Sequence, residues 1–161
     1  MESYIVLKEL SHLPSEYYIF ENLQLSLLKG VKYRNTSETV RICQIDYLIV
    51  GPRGIFIIGV KDWDKKTLEI DPQLPLKEVD KAGLIIYIRS LNRFKKKLPI
   101  YNVSVRLRKV PKVRYEYVYH VTLRELYWFI LRREGKLQKK WIAKIVRWIS
   151  KITKSKPIKM S

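Results

Sequence analysis

Apolar residues follow two periods along the chain, and each change of period marks a new element. In residues 2–10, Ile5, Val6, Glu9 and Leu10 stand near helical spacing until His12-Leu13-Pro14 breaks the pattern, so a short helix opens the chain. Residues 17–28 alternate instead at Leu23, Leu25 and Leu27, as a strand does; Lys29-Gly30 and Arg34-Asn35-Thr36-Ser37 read as a polar turn region. Residues 40–50 and 54–61 are two more apolar strands. The turn Gly51-Pro52-Arg53-Gly54 joins them into a hairpin, because Pro presets φ and Gly tolerates unusual φ. A short strand over 67–70 is expected next, before the breaker-rich Asp71-Pro72-Gln73-Leu74-Pro75.

From about 76 to 98 the stripe Leu84, Ile85, Ile88, Leu91, Phe94, Leu98 predicts a helix, with Gly83 a weak point in its first turns. Residues 103–110 and 115–121 alternate again and predict two strands, the second placing Tyr115, Tyr117 and Tyr119 on one face. Thr122 with Glu125 is a capping box that opens a helix to Arg133, closed by Gly135. A last helix over 136–152 carries the stripe Leu137, Trp141, Ile142, Ile145, Trp148, Ile149, Ile152. This order of elements predicts an α/β fold with a mixed central sheet and helices on both faces. A single domain over 1–153 is expected, with a flexible basic tail over 154–161.

Hairpin register sharpens the picture. If Val50 pairs with Ile55, Asp46 faces position 59 directly and position 61 diagonally, and residues 44, 46, 48 share a face with 57, 59, 61. Asp46 and Lys61 then lie roughly 7 to 8 Å apart at the backbone, within reach of one bound group. A carboxylate beside an ammonium suits phosphate hydrolysis: the acid holds a divalent metal, and the lysine steadies the attacking water or the developing charge. The same two residues also fit a plain surface ion pair.

Charge changes the reading of partners. The chain of 161 residues carries 33 Lys and Arg against 15 Asp and Glu, a net +18. Residues 1–80 hold 10 basic and 12 acidic side chains, and residues 81–161 hold 23 and 3. An acidic half able to bind cations beside a basic half able to bind phosphates points to nucleic acid, DNA ahead of RNA. The lesser alternative is that enrichment in Lys, Ile and Tyr marks a thermophilic or AT-rich source, with charges that only solvate the surface. The candidate phosphate contacts are Arg89, Arg93, Lys95, Lys96 and Lys97 on the long helix, Arg106 and Arg108 on the next strand, and Lys139, Lys140, Lys144 and Arg147 on the last helix. That last helix also has the make-up of an interfacial membrane helix, although packing on the sheet needs the same stripe. The three tyrosines could stack bases or pack in the core.

The run Gln44-Ile45-Asp46 through Gly51 to Gly59-Val60-Lys61-Asp62-Trp63 resembles the core of NERD domains, the nuclease-related branch of the PD-(D/E)XK superfamily. In that family Gln-Ile-Asp, a strand, Gly and a second strand lead to Glu-x-Lys, followed by Asn or Asp and an aromatic. The resemblance implies a restriction-endonuclease-like fold and a Mg²⁺- or Mn²⁺-dependent nuclease. It makes Gln44, Asp46 and Lys61 catalytic, Asp46 the metal-binding acid, and Glu2 the match of the family's early Gly-Glu. Two positions depart from the pattern: Gly59 stands where the acid of Glu-x-Lys belongs, and the helix after Pro75 lacks the family's glutamine near its start. The implied readings are an inactive relative kept for binding, an acid supplied by Glu9, Glu69 or Asp62, or a change at that one position. Asp62 alternates to the opposite face, which makes it the poorest substitute.

Other chemistries are disfavoured. His12 and His120 have no Ser or Cys partner in a nucleophile motif, and no Gly-rich phosphate loop, CxxC pair or HExxH occurs, so no small-molecule cofactor is expected. The lone Cys43 reads as a buried thiol. Apolar runs such as 47–50 and 55–58 fall far below the roughly 18 residues of a membrane span, and residues 1–10 are not signal-like, so a soluble, cytoplasmic protein is expected. A homodimer is left open.

Overall fold

The computed structural model describes residues 2–60, 73–107 and 115–158, and the side chains from Tyr4 onward. Lys61, Asp62, Glu69, Arg108 and the strand expected at 67–70 lie outside the described residues, as does the side chain of Glu2. Among the described residues five strands form one sheet in the order β1-β2-β3-β4-β5: Tyr18–Lys32, Thr39–Gly51, Gly54–Val60, Ile100–Arg106 and Tyr119–Thr122. The pairs β1–β2 and β2–β3 are antiparallel, whereas β3–β4 and β4–β5 are parallel, so the sheet is mixed.

Four helices cover it among the described residues: α1 Glu2–Leu10, α2 Leu74–Phe94, α3 Leu123–Leu131 and α4 Lys139–Thr153. The hairpin explains why both faces are covered. Tyr47 to Ile58 is apolar nearly throughout, and a strand buried on both sides needs no polar alternation. Leu48, Val50, Ile55 and Ile57 join Leu76, Ile85 and Ile86 of α2 and Ile145 and Ile149 of α4 in one core. Tyr47, Ile49, Phe56 and Ile58 join Val6 and Leu10 of α1 and Leu126 and Ile130 of α3 in the other. The α/β fold with helices on both faces therefore stands as expected, and so does the hairpin register, Val50 opposite Ile55 and Tyr47 opposite Ile58. Gly54, at φ 136°, closes the turn.

Several boundaries differ from the sequence reading. β1 does not stop before Lys29-Gly30; it runs to Lys32 and absorbs the break as a register shift between Ser26 and Val31. α2 ends at Phe94 rather than 98, because Lys95 adopts the left-handed conformation at φ 55° and its N–H bonds back to the Leu91 carbonyl. Residues 115–118 are not a strand. Val118 N–H returns to the Tyr115 carbonyl at 3.2 Å, so Tyr115 and Tyr117 sit in a tight turn and do not share a strand face with Tyr119. α4 starts at Lys139, since Leu137 is held outside it by a 2.8 Å bond from its N–H to the Pro52 carbonyl. Beyond α4, Ile158 N–H donates to the Ile19 carbonyl at 2.7 Å and bridges the edge strand β1.

The face assignment in β2 is also corrected. Cys43 and Ile45 belong to the same core as Leu48, and Leu23 to the same core as Phe20, so alternation slips by one on both strands. The slip falls where Asn22 takes a left-handed φ of 55° opposite Asp46. Gln44 is exposed as a result, while Leu48 is fully buried, and the two do not share a face.

Candidate nucleic-acid interface

One step beyond the Tyr47–Ile58 pair, Asp46 comes level with Gly59 at the end of the hairpin. It is half-buried, and Val60 N–H donates to its Oδ2 at 2.6 Å. Position 59 has no free space on its Cβ side: a Cβ there would collide with Cγ2 of Val79, a stiff, buried side chain on α2. Glu9 is half-buried on α1, which lies on the sheet face opposite α2, and exposed Gln44 points away from the core. Among the described residues no three His, Cys, Asp or Glu side chains come together to hold a metal. Mg²⁺ favours octahedral oxygen coordination, with one or two carboxylates as anchors. At this end Asp46 is the acid of the hairpin, and one of its oxygens already accepts from Val60 N–H.

Next to Val79, α2 is locked down by a buried polar network. Asp80, 1% exposed, accepts two bonds from Arg34, from Nε at 2.7 Å and from Nη2 at 2.8 Å. Tyr33 Oη donates to Asp80 at 2.5 Å and also meets Tyr115 Oη, and Asn102 Nδ2 lies 3.3 Å from Asp80 Oδ1. The Arg34 guanidinium stacks 3.0 Å above the centre of the Tyr117 ring. Burial, then the bonds to Asp80 and Tyr115, push the Tyr33 phenol far above its ordinary range, and the bond to Asp80 keeps Arg34 charged. Gly83 lets the helix come this close, since a Cβ there would strike the Asn102 amide. The network fixes the β1–β2 turn and the 115–118 turn against α2. Sequence reasoning missed it because its members carry no motif and bonded pairs such as Tyr33 and Tyr115 lie 82 residues apart.

About 22 Å further along α2, at its last turn, the surroundings reverse. Arg93, Phe94, Trp141, Lys144, Arg147, Trp148 and Lys151 line an open cleft of about 440 Å³ between α2 and α4. Phe94 meets Trp141 edge-on at 5.7 Å and Trp148 at 5.3 Å. Lys96 Nζ and Lys144 Nζ stand 4.6 and 5.0 Å from the centre of the Trp141 ring, and Arg93 packs over Phe94 at 5.2 Å. The helix positions these groups simply: Ile142, Ile145, Trp148 and Ile149 turn inward, so Lys140, Lys144, Arg147 and Lys151 are left outside.

Two basic clusters about 50 residues apart in sequence are thus brought together around aromatic rings. Not every expected contact joins them. Arg89 is turned to the Ser26 carbonyl at 3.2 Å, and Arg106 sits at the far end of β4, about 20 Å from its start. Lys139 lies on another side of α4, beside Glu16 and Tyr18. Lys95 and Lys97 are exposed in the turn after α2.

The mixed five-stranded sheet with helices on both faces defines an α/β domain of the restriction-endonuclease-like kind. Residues 2–110 match the family model of the nuclease-related domain, NERD, over more than half of the chain, and the chain belongs to that family. No curated protein and no solved structure matches it significantly. The match ends before α3 and α4, so the α4 wall of the cleft lies outside it. No helix among the described residues is long and apolar enough to cross a membrane.

Proposed function

We propose that this NERD-family chain is a nucleic-acid-binding protein that holds DNA in the α2–α4 cleft and does not cut it. The observation that supports binding is the convergence of Arg93, Lys96, Lys144, Arg147 and Lys151 on one cleft. Residues 89–97 and 139–153 contain no Asp or Glu, so nothing on these segments neutralises the cations. Like charges at i, i+3 and i+4 on a helix repel by a few tenths of a kcal/mol per pair, a cost that a polyanion offsets. The apolar face of α4 is spent on the core, which leaves no broad apolar surface to enter a membrane.

Against cleavage stands the hairpin end. In the PD-(D/E)XK pattern the acid two residues before Lys61 would sit at position 59, and here α2 fills the space that its side chain needs. Mg²⁺ or Mn²⁺ is therefore no part of the proposed binding, and a helper acid such as Glu2 or Glu69 is not invoked. The test pairs two assays. Binding to labelled DNA in EDTA should weaken steeply with salt, and Asp46→Ala should bind as the wild type does. Supercoiled plasmid incubated with Mg²⁺ or Mn²⁺ should stay intact. Mn²⁺-dependent nicking that disappears in both Asp46→Ala and Lys61→Ala would overturn the non-cutting half, and salt-insensitive or absent binding would overturn the other.

A further inference from the structure

We infer that the α2–α4 cleft selects single strands over duplex, with an unpaired base stacked on Trp141 and phosphates held by Lys96 and Lys144. The inference rests on the nucleic-acid reading above and deepens it. Cations alone would not discriminate, because both kinds of strand present phosphates outward. The rings do: a duplex keeps both faces of each base inside its own stack, whereas an unpaired base has a free π-face to offer. Trp141 is only half-buried, although a tryptophan between two helices could have been packed away like Trp148. It stands at the cleft wall with ammonium groups of two different segments within 5.0 Å of its ring centre. Both ammonium groups lie over that ring, so a base that stacks there takes the place of one of them, and the displaced lysine stays within reach of its phosphate. The cleft, at about 440 Å³, is within the roughly 300 to 1,000 Å³ range of sites that enclose a small ligand. Phe94 and Trp148, edge-on to each other, back the site.

The experiment measures dissociation constants at one salt concentration, in EDTA, for a mixed-sequence 20-mer single strand, its duplex and anionic phospholipid vesicles. Proteins are the wild type, Trp141→Leu, which keeps apolar volume without a π-face, and Trp141→Phe, which keeps a smaller one; thermal melts check that each folds. The single strand should bind at least tenfold tighter than the duplex. Trp141→Leu should lose about tenfold on the single strand, and almost nothing on the duplex. Trp141→Phe should fall between. Equal affinity for strand and duplex, or an equal loss on both in Trp141→Leu, would overturn this inference and leave the nucleic-acid reading standing. Binding to vesicles with none to either DNA would overturn both. If Trp141→Leu melts too low to assay, Lys96→Gln with Lys144→Gln replaces it: the preference should shrink, and an unchanged preference would overturn the assignment of these two lysines.

Discussion

In its first half α2 is pressed into the sheet, with Val79 filling the hollow over Gly59 and Asp80 tied to three partners; at its last turn the same helix stands beside α4 over an open cleft lined with cations that form no ion pair with another described residue. The first region has a buried carboxylate held by three side chains and no spare room over Gly59, the signature of a part that holds the fold together. The second gathers cations from two segments that contain no acid around Trp141, which is half-buried, as the proposed binding surface requires. The family match covers the first region and stops short of α4. The tightly packed end of the nuclease-related scaffold and the cleft proposed for binding thus lie at opposite ends of one helix.

If this contrast is right, substitutions in the first region should move stability and leave binding per folded molecule alone. Asp80→Ala should have the largest effect. Breaking a buried ion pair costs about 3 to 5 kcal/mol, and since Arg34 is 35% exposed the lower end, about 3 kcal/mol, is expected in urea unfolding. Gly59→Ala should cost about 1 to 3 kcal/mol through overpacking against Val79. In Gly59→Ala with Val79→Ala the two losses should not add, because the second change makes the room that the first requires. Additive losses would show that Val79 does not fill position 59.

Burial raises the Cys43 thiol from its ordinary 9.0 to about 12. The folded state favours the neutral thiol, so this contribution to stability is fully present below pH 9 and is lost as pH rises through 12. The difference between wild type and Cys43→Ala should shift against the wild type by roughly 1 kcal/mol at pH 10. A pH-independent difference would mean the thiol is not buried. The smallest change in stability, within about 0.5 kcal/mol, is expected from removing Lys96, Lys144 and Arg147 together. The same triple variant should flatten the salt dependence of DNA binding by about 2 for a single strand, which reverses the ranking seen in the first region.

How much of this was legible in the sequence depends on the range of the interactions. The hairpin was readable because Gly51-Pro52-Arg53-Gly54 fixes register locally, and the Thr122/Glu125 capping box because it spans three residues. The slip of alternation at Asn22 and Asp46 was not, since it needs one unusual φ on a neighbouring strand. Gly59 could be noticed as a departure from a pattern, but not explained: its reason is Val79, on another element. Basic residues could be counted, yet composition treats Arg106 and Lys144 alike, and only the path of α2 and β4 places one far from the cleft and the other on its wall. Trp141 read as part of an apolar stripe, and the stripe does not tell it, half-exposed, from the buried Trp148.

The most direct measurement is amide hydrogen exchange of the full chain with and without a bound single-stranded oligonucleotide, in EDTA. Protection should rise at residues 92–96 and 139–148 and stay unchanged at 44–47 and 57–60. Protection centred on 44–47 and 57–60, with residues 92–96 and 139–148 unaffected, would contradict the assignment of binding to the α2–α4 cleft.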